Sequence, residues 1–455
     1  MIKSPTVSKT ASCFWRFESL FGKGKIHMNF SKGVRAAVGC AAFLAFGAVS
    51  FVQADDDGHG GQSDKPMKLS PAQLRRISGA EAVNSMKDPT EAGHSANLAK
   101  SSANFGLPVW TYSVKSSRDG KTYTGQIVGQ NPATGGTTSI RTYLIPVKLV
   151  FAYNSTTSYV FDPTATDSGC LGGTNTALSL TEASPILTPY TFTTGSETDT
   201  TQYPDHFNRA NFWKNIGNKS SYDTLLTVAG VDPVTVTLSA SNGTLANATV
   251  FSAGGQCGLN TGNTNLPGFL GVVNVNTWDP IAQSIIRSLG LNPSELPVFL
   301  FYNAVMSAGH SSNLNNCCIL GYHNAVGSPV QTYAVAEFEG RDQTLFSGVS
   351  DVSSLSHEIN EWMQDPSGAN PTPAWGNVGQ VSGCQNNYEV GDPLSGTLLP
   401  AIPGNGASNG FTYHVQELAF YSWFYGGPSI AANGWYSDNN TFKGAAKTCP
   451  PGGTN

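Results

Sequence analysis

The residues best suited to chemistry in this chain lie in one short segment with the pattern H-E-x-x-E, at His357, Glu358 and Glu361. Since an α-helix turns by about 100° per residue, side chains four positions apart project from the same face. His357 and Glu361 are therefore expected side by side, with the Glu358 carboxylate adjacent. Imidazole nitrogens and carboxylate oxygens are common ligands of Zn²⁺ and related divalent cations. The motif predicts a metal site with His357 and Glu361 as ligands.

The segment around the motif is predicted to form one amphipathic helix. Its apolar face comprises Leu355, Ile359, Trp362 and Met363. Asp351 or Ser353 is expected to cap the start of the helix, and Asp365-Pro366 to end it. The competing interpretation of the same residues is a solvated acidic face on an ordinary core helix.

At least one further protein ligand must come from outside the helix, because two residues do not hold a metal alone. Glu389 and Asp392 flank Gly391 in a segment that reads Cys-Gln-Asn-Asn-Tyr-Glu-Val-Gly-Asp-Pro, a turn that can present a carboxylate. His323 is a third candidate, and for it the alternative is a loop histidine hydrogen-bonded to backbone. The sequence does not decide which of Glu389, Asp392 and His323 is the third ligand.

The motif helix resembles the active helix of zincin metallopeptidases, in which the pattern is H-E-x-x-H and Glu361 takes the place of the second histidine. Three segments, Cys317–His323, Ser356–Pro366 and Cys384–Pro393, also resemble a group of uncharacterised secreted bacterial proteins. The likeness to zincins with a downstream glutamate ligand favours Glu389 as the third ligand. It also implies a core in which an edge strand borders the cleft, and residues 331–339 are expected to form that strand.

The same likeness implies a peptidase mechanism. Glu358 is expected to take a proton from a metal-polarised water, and Tyr388 or His323 to stabilise the oxyanion. Zn²⁺ is the first choice of metal. Two carboxylate ligands weaken the pull of the metal on water and favour harder ions, so Mn²⁺ and Ca²⁺ remain open.

The N-terminal region predicts export. A basic stretch that begins at Met28 precedes an apolar run and a small-residue cleavage site, so residues 1–54 are predicted to be a signal peptide with its true start possible at Met28. The net charge of −5 gives no basic footprint for nucleic acid. The protein is therefore expected outside the cytoplasm, secreted or periplasmic, without stable membrane insertion after cleavage and with a polypeptide or cell-surface substrate.

The predicted fold class is α+β. Residues 55–104 are polar and irregular and indicate a flexible or pro-segment-like arm. Alternating strand patterns predict a β-rich domain over residues 105–255. Helical periodicity returns later, so residues 256–455 are expected to form a zincin-like core with a mixed sheet and the H-E-x-x-E helix.

Cysteine usage also favours an oxidising compartment. Six cysteines follow the predicted signal peptide, at positions 170, 257, 317, 318, 384 and 449. An even number in an exported chain suggests up to three disulfides, with the pairing undetermined. The adjacent Cys317 and Cys318 are expected to bond two different partners.

Two functions from different classes fit these patterns. The first is a secreted metal-dependent hydrolase, with peptide-bond cleavage as the expected activity. The second is a non-catalytic surface or carbohydrate-contacting protein with a structural or vestigial metal site, supported by the composition and by the aromatic run 421–425, which is also explained by core packing. A serine hydrolase is disfavoured because Ser408 lies in a Gly/Asn-rich loop and does not follow a strand.

Overall fold

The computed structural model describes residues 67–68, 105–152, 154–217, 221–240, 248–252, 260–261, 264–265, 269–308, 317–340, 346–406 and 410–449. The predicted signal peptide lies outside the described residues, as does the predicted arm apart from residues 67–68. Ser408 is outside them as well.

The described helices are short. They are α1 (Ala177–Glu182), α2 (Tyr203–Asn211), α3 (Trp213–Ile216), α4 (Val275–Leu289), α5 (Ser353–Gln364) and α6 (Tyr421–Tyr425). A 3-10 turn spans Asp392–Leu394. Within the described part of the chain, none of the helices is long and apolar enough to cross a membrane.

Strands account for most of the regular structure. In chain order they are β1 (Met67–Lys68), β2 (Val109–Lys115), β3 (Thr122–Val128), β4 (Gly136–Ala152), β5 (Ser158–Phe161), β6 (Tyr190–Thr194), β7 (Glu197–Thr201), β8 (Tyr222–Gly230), β9 (Val234–Ser239), β10 (Ala248–Ser252), β11 (Asn260–Thr261), β12 (Thr264–Asn265), β13 (Phe269–Asn274), β14 (Leu296–Tyr302), β15 (Ala304–Ser307), β16 (Cys317–Ile319), β17 (Gly321–Val326), β18 (Gln331–Phe338), β19 (Pro371–Val378), β20 (Val381–Asn387), β21 (Ile402–Pro403) and β22 (Thr412–Tyr413). Helices and a mixed sheet together confirm the α+β class.

A seven-stranded sheet is the framework of the molecule. Its strands run in the order β17-β18-β14-β4-β5, and β8 and β9 also pair with β4. The central pairs, β18 with β14 and β14 with β4, are parallel, whereas β17 is antiparallel to β18. All seven residues of β14 are buried, as expected of a continuous apolar strand covered on both faces.

The strand that borders the motif helix at the sheet edge is β17. Residues 331–339 were expected to provide that edge, and this expectation is wrong, because β18 is flanked by β14 and β17 and all eight of its residues are buried. The short Gly-containing strand β17, which carries His323, takes the edge position instead.

Strands from either side of residue 255 share this sheet. β4 belongs to the predicted β-rich domain, whereas β14, β17 and β18 belong to the predicted core. One large cluster of buried apolar side chains also draws on both regions, for example Ile145 and Phe299.

Helix α5 carries the H-E-x-x-E motif and is buried along its whole length. Its predicted apolar residues lie in the core as expected. The helix ends at Asp365, as expected. The predicted N-terminal caps are wrong: Val352 occupies the N-cap position without a side-chain hydrogen bond, and Ser353 Oγ accepts instead from Ser350 N. Asp351 adopts a φ of +34°, and its carboxylate pairs with His414 Nδ1 at 2.7 Å. The carboxylate is therefore turned away from the backbone N–H groups of the helix that follow Val352.

Two disulfides join described cysteines. Cys317 and Cys318 are bonded to each other, so the expectation of two separate partners is wrong. The second disulfide joins Cys384 in β20 to Cys449, 65 residues later. Cys170 is disulfide-bonded as well.

The aromatic run of residues 421–425 forms helix α6, and all five side chains are buried. Tyr425 donates to Pro371 O and its hydroxyl also contacts that of Tyr112 at 2.6 Å. Core packing therefore explains the aromatic run, and it offers no surface for stacking on a carbohydrate.

Candidate metal centre

The motif helix is fixed against the edge of the sheet. Helix α5 packs across β17 and β18. Trp362 Nε1 donates to Thr332 Oγ1 at 2.9 Å, which ties the helix to β18 through a fully buried hydrogen bond. The face of the helix that carries Trp362 is thereby anchored. His357 and Glu361, one turn apart, are held over the loop that follows β20.

His357 and Glu361 come together as the helical spacing predicts. His357 Nε2 lies 2.9 Å from Glu361 Oε2, and both residues are fully buried. On the other side of the ring, His357 Nδ1 lies 3.1 Å from Gln416 Oε1. The orientation of that amide is determined by Gly391, because Gln416 Nε2 donates to Gly391 O at 2.7 Å.

This arrangement determines the tautomer of His357. Since Gln416 presents a carbonyl oxygen, His357 Nδ1 must carry the hydrogen, and the Nε2 lone pair then faces Glu361. Burial lowers the pKa of His357 and so favours the neutral imidazole that binds metal. A hydrogen bond from the far nitrogen of a histidine is the common means of orienting a metal ligand.

The turn after β20 positions the Glu361 carboxylate. Its Oε1 atom accepts from the backbone N–H groups of Gly391 at 3.0 Å and Asp392 at 3.2 Å. Its Oε2 atom is buried and makes no hydrogen bond. Position 391 requires glycine for a steric reason, because a Cβ atom there would overlap the imidazole of His357.

The edge strand brings a second histidine to the same place. His323 Nε2 lies 3.2 Å from Glu389 Oε2 and 4.0 Å from Glu361 Oε2. Glu389 Oε1 accepts from Asn387 Nδ2 at 2.7 Å, which turns its other oxygen towards His323. Burial acts to lower the pKa of His323, but the hydrogen bond and charge of Glu389, with the charge of Glu361, raise it to about 9.

Asp392 completes the cluster from the 3-10 turn. Its Oδ1 atom lies 3.7 Å from His357 Nε2. Two amides hold the carboxylate: Gln380 Nε2 donates to Oδ1, and Gln385 Nε2 donates to Oδ2 at 2.7 Å. Burial, followed by repulsion from Glu361, raises the pKa of Asp392 well above its usual range.

These groups fit a divalent cation. Two triads have ligand atoms within 4.8 Å of one another, and the five residues involved are His323, His357, Glu361, Glu389 and Asp392. None is more than 5% exposed. Burial raises the pKa of Glu361 well above its usual range, and the nearby Glu389 raises it further. A cation between these groups would neutralise the buried carboxylates and accept the His357 lone pair, so the donors match what such an ion needs.

All four residues predicted as metal ligands therefore converge. His357, Glu361, Glu389 and Asp392 lie in the two triads, together with His323, the remaining candidate for the third ligand. The three alternatives left open by the sequence all lie in the cluster. The competing interpretation, a solvated acidic face on an ordinary core helix, is wrong, because every residue of helix α5 is buried.

Glu358, the predicted general base, lies beside the edge strand and outside both triads. It is fully buried, and a Cβ atom at Gly321 would overlap its side chain. The glutamate therefore projects against the first residue of β17, two positions before His323 on the same face of that strand.

Tyr388, predicted to stabilise an oxyanion, is fully buried, and its hydroxyl lies among helix side chains. The hydroxyl donates to Gln364 Oε1 at 3.1 Å and accepts from Asn211 Nδ2 at 3.4 Å. These contacts link the turn after β20 to the ends of helices α5 and α2. The catalytic roles assigned to Glu358, Tyr388 and His323 stay predictions.

Four amide side chains that orient the ligands were missed in the sequence: Gln380, Gln385, Asn387 and Gln416. Gln385 and Asn387 lie within the segment that also supplies Glu389 and Asp392, so proximity in the chain was a usable signal. Gln416 gave no such signal, because it reaches His357 across a separation of 59 residues.

Two surface cavities of about 600 and 240 Å³ lie away from the centre. They share Cys170, Leu171, Phe411 and Thr412, and the smaller is also lined by Asp351 and His414. Neither of these two cavities is lined by a ligand candidate.

In comparisons with known proteins, the chain matches no protein-family model and no curated protein sequence. The resemblance to zincins therefore stays a prediction from the motif, and the five converging side chains are the basis for assigning a function.

Proposed function

We propose that this protein is an extracytoplasmic metal-dependent hydrolase that cleaves peptide bonds. The observation that carries the proposal is the convergence of two imidazoles and three carboxylates between the motif helix and the edge strand. The bonded cysteines support an oxidising compartment, in agreement with the predicted signal peptide.

The donor set favours Zn²⁺ or Mn²⁺. Two imidazole nitrogens suit zinc, whereas three carboxylates suit harder ions such as Mn²⁺, and Ca²⁺ takes mainly oxygen ligands. A bound cation of this kind lowers the pKa of a water and polarises a substrate carbonyl. The carboxylate-rich set reduces that effect relative to a nitrogen-rich site, because more of the positive charge is neutralised.

Glu358 is the proposed general base. It follows the ligand His357 directly and projects against β17, so it lies between the helix and the strand along which we place the substrate. A glutamate in this position can take a proton from a metal-bound water.

The substrate is proposed to be an extended polypeptide. In the described part of the sheet, β17 pairs with β18 alone, so its outer edge can accept another strand. A chain bound in this way passes His323 and the ligands grouped around it.

The test is peptide hydrolysis by the purified mature chain after metal loading. Glu358→Gln is expected to lower kcat at least 100-fold while bound metal is unchanged. Glu295→Gln, at a half-buried glutamate that directly precedes β14, serves as the control and should leave kcat unchanged. Full activity in Glu358→Gln contradicts the role of this residue, and no hydrolysis of any peptide by the metal-loaded chain contradicts the proposed function.

A structural metal centre is the second candidate, favoured by the burial of all five donor side chains. In a structural metal site the protein supplies all the ligands, whereas a catalytic site keeps one coordination position for water or substrate. In this case chelation would lower the melting temperature, and the metal-loaded protein would hydrolyse no peptide. Hydrolysis that is lost on chelation and restored by metal would exclude this candidate.

A further inference from the structure

The ligand candidates do not form one group of five but two overlapping groups of three. One comprises His323, Glu361 and Glu389, and the other comprises His357, Glu361 and Asp392. Each triad has one imidazole and one carboxylate of its own. Glu361 is the residue that both triads share.

The geometry of Glu361 explains how it serves both triads. Its Oε1 atom is occupied by the two backbone N–H groups at positions 391 and 392. Its Oε2 atom makes no hydrogen bond, lies 2.9 Å from His357 Nε2 and lies 4.0 Å from His323 Nε2. One fully buried oxygen therefore points into the space between the two histidines.

Charge balance permits two ions in this cluster. Glu361, Glu389 and Asp392 together carry three negative charges when ionised, and two divalent cations with one small anion neutralise them. The observation that favours two ions is the geometry of the two triads, each with an imidazole and a carboxylate of its own.

We propose that the centre binds two divalent metal ions, one at His323 and Glu389 and the other at His357 and Asp392, with Glu361 Oε2 between them. The proposal uses the same cluster as the proposed hydrolase function and rests on it for the role of the metals. Two ions about 3.5–4 Å apart are a recurrent arrangement in hydrolases, where they clamp the attacking and leaving groups.

The first test needs no variant. The mature chain, loaded with Mn²⁺ and freed of excess ion, is examined by elemental analysis and by low-temperature electron paramagnetic resonance. We expect two equivalents of manganese and the signal of a spin-coupled pair. One equivalent with an uncoupled six-line spectrum at saturating Mn²⁺ overturns the proposal.

Variants then assign the two positions. Glu389→Gln and Asp392→Asn are each expected to retain one equivalent and to lose the coupled signal. Glu361→Gln should lower the affinity for both ions. Glu358→Gln, on the same helix but outside both triads, is the matched control and should retain two equivalents, with folding of each variant checked by circular dichroism.

The outcomes separate this inference from the hydrolase proposal. Two coupled ions without peptide hydrolysis support the dinuclear centre and contradict the hydrolase. One ion with metal-dependent hydrolysis contradicts the dinuclear centre alone. A chain that binds no manganese or zinc overturns both.

Discussion

His357 Nδ1 lies 3.1 Å from Gln416 Oε1, and this contact decides which ring nitrogen can bind metal. The amide cannot be turned over without loss of the hydrogen bond from Gln416 Nε2 to Gly391 O. The backbone of the ligand-bearing turn therefore sets the tautomer of a ligand on the helix. Glu361 reinforces the link, because it accepts from the N–H of the same glycine.

Substitution of Gln416 by Ala is expected to weaken metal binding without unfolding the protein. The imidazole of His357 then loses the acceptor that holds its Nδ1–H. Removal of such an orienting partner typically lowers the metal affinity of a site 10–100-fold. The affinity for Zn²⁺ can be measured by competition with a chromophoric chelator. Gln283→Ala, on helix α4, is a control for loss of a glutamine. Equal affinities for the two variants would show that Gln416 does not orient the ligand.

Gly391→Ala is expected to damage the centre by overpacking. The added Cβ atom would overlap the imidazole of His357, so the ring or the turn must move. Overpacking of this kind destabilises by about 1–3 kcal/mol. Gly444→Ala is the matched control, because a Cβ atom there meets nothing within 4 Å. Urea denaturation and metal content should both distinguish the two variants, and identical values would contradict the close contact.

Helical periodicity was sufficient to predict the core of the site. The positions of His357 and Glu361 follow from the geometry of one helix. The turn with the sequence Gly-Asp-Pro indicated that further ligands lie a short distance along the chain. The actual cap was not predictable, because Asp351 pairs with His414, 63 residues away. Local propensity for a cap was overridden by a tertiary contact.

The edge position of β17 was also beyond sequence reasoning. Both β17 and β18 are short, and either order in the sheet satisfies their patterns of apolar residues. The order depends on β14, which pairs in parallel with β18, and the paired residues are 36 positions apart in the chain. His323 was for this reason only one of three open candidates, although it faces the centre directly.

The stability of the protein is expected to fall between pH 5 and 8 because of Asp205. Its carboxylate accepts from Thr224 N at 2.6 Å and from Thr201 Oγ1 at 2.7 Å, and burial raises its pKa from 3.8 to about 7. A raised pKa in the folded state means that the contribution to stability is complete below pH 3.8 and is lost as pH rises through 7.

Asp205→Asn should abolish this part of the pH dependence. Between pH 5 and 8 the free energy of unfolding of the unmodified protein should fall by about 2–3 kcal/mol more than that of the variant, at about 1.4 kcal/mol per pKa unit. Asparagine keeps an oxygen for Thr224 N and can donate to Thr201 Oγ1, so the fold should persist. Urea denaturation at the two pH values measures the difference, and parallel pH profiles would contradict the raised pKa.

The two disulfides that join described cysteines are expected to differ in their contribution to stability because the bonded cysteines are separated by different lengths of chain. The Cys384–Cys449 bond spans 65 residues, so its loss should lower the free energy of unfolding by about 4 kcal/mol through the entropy of the unfolded chain. The bond between the adjacent Cys317 and Cys318 closes no loop of intervening residues, so it constrains the unfolded chain far less. The paired alanine variants at each bond should therefore differ in their urea midpoints, with Cys384→Ala/Cys449→Ala the less stable. An equal loss of stability in both would mean that local packing, and not loop closure, determines what each bond contributes.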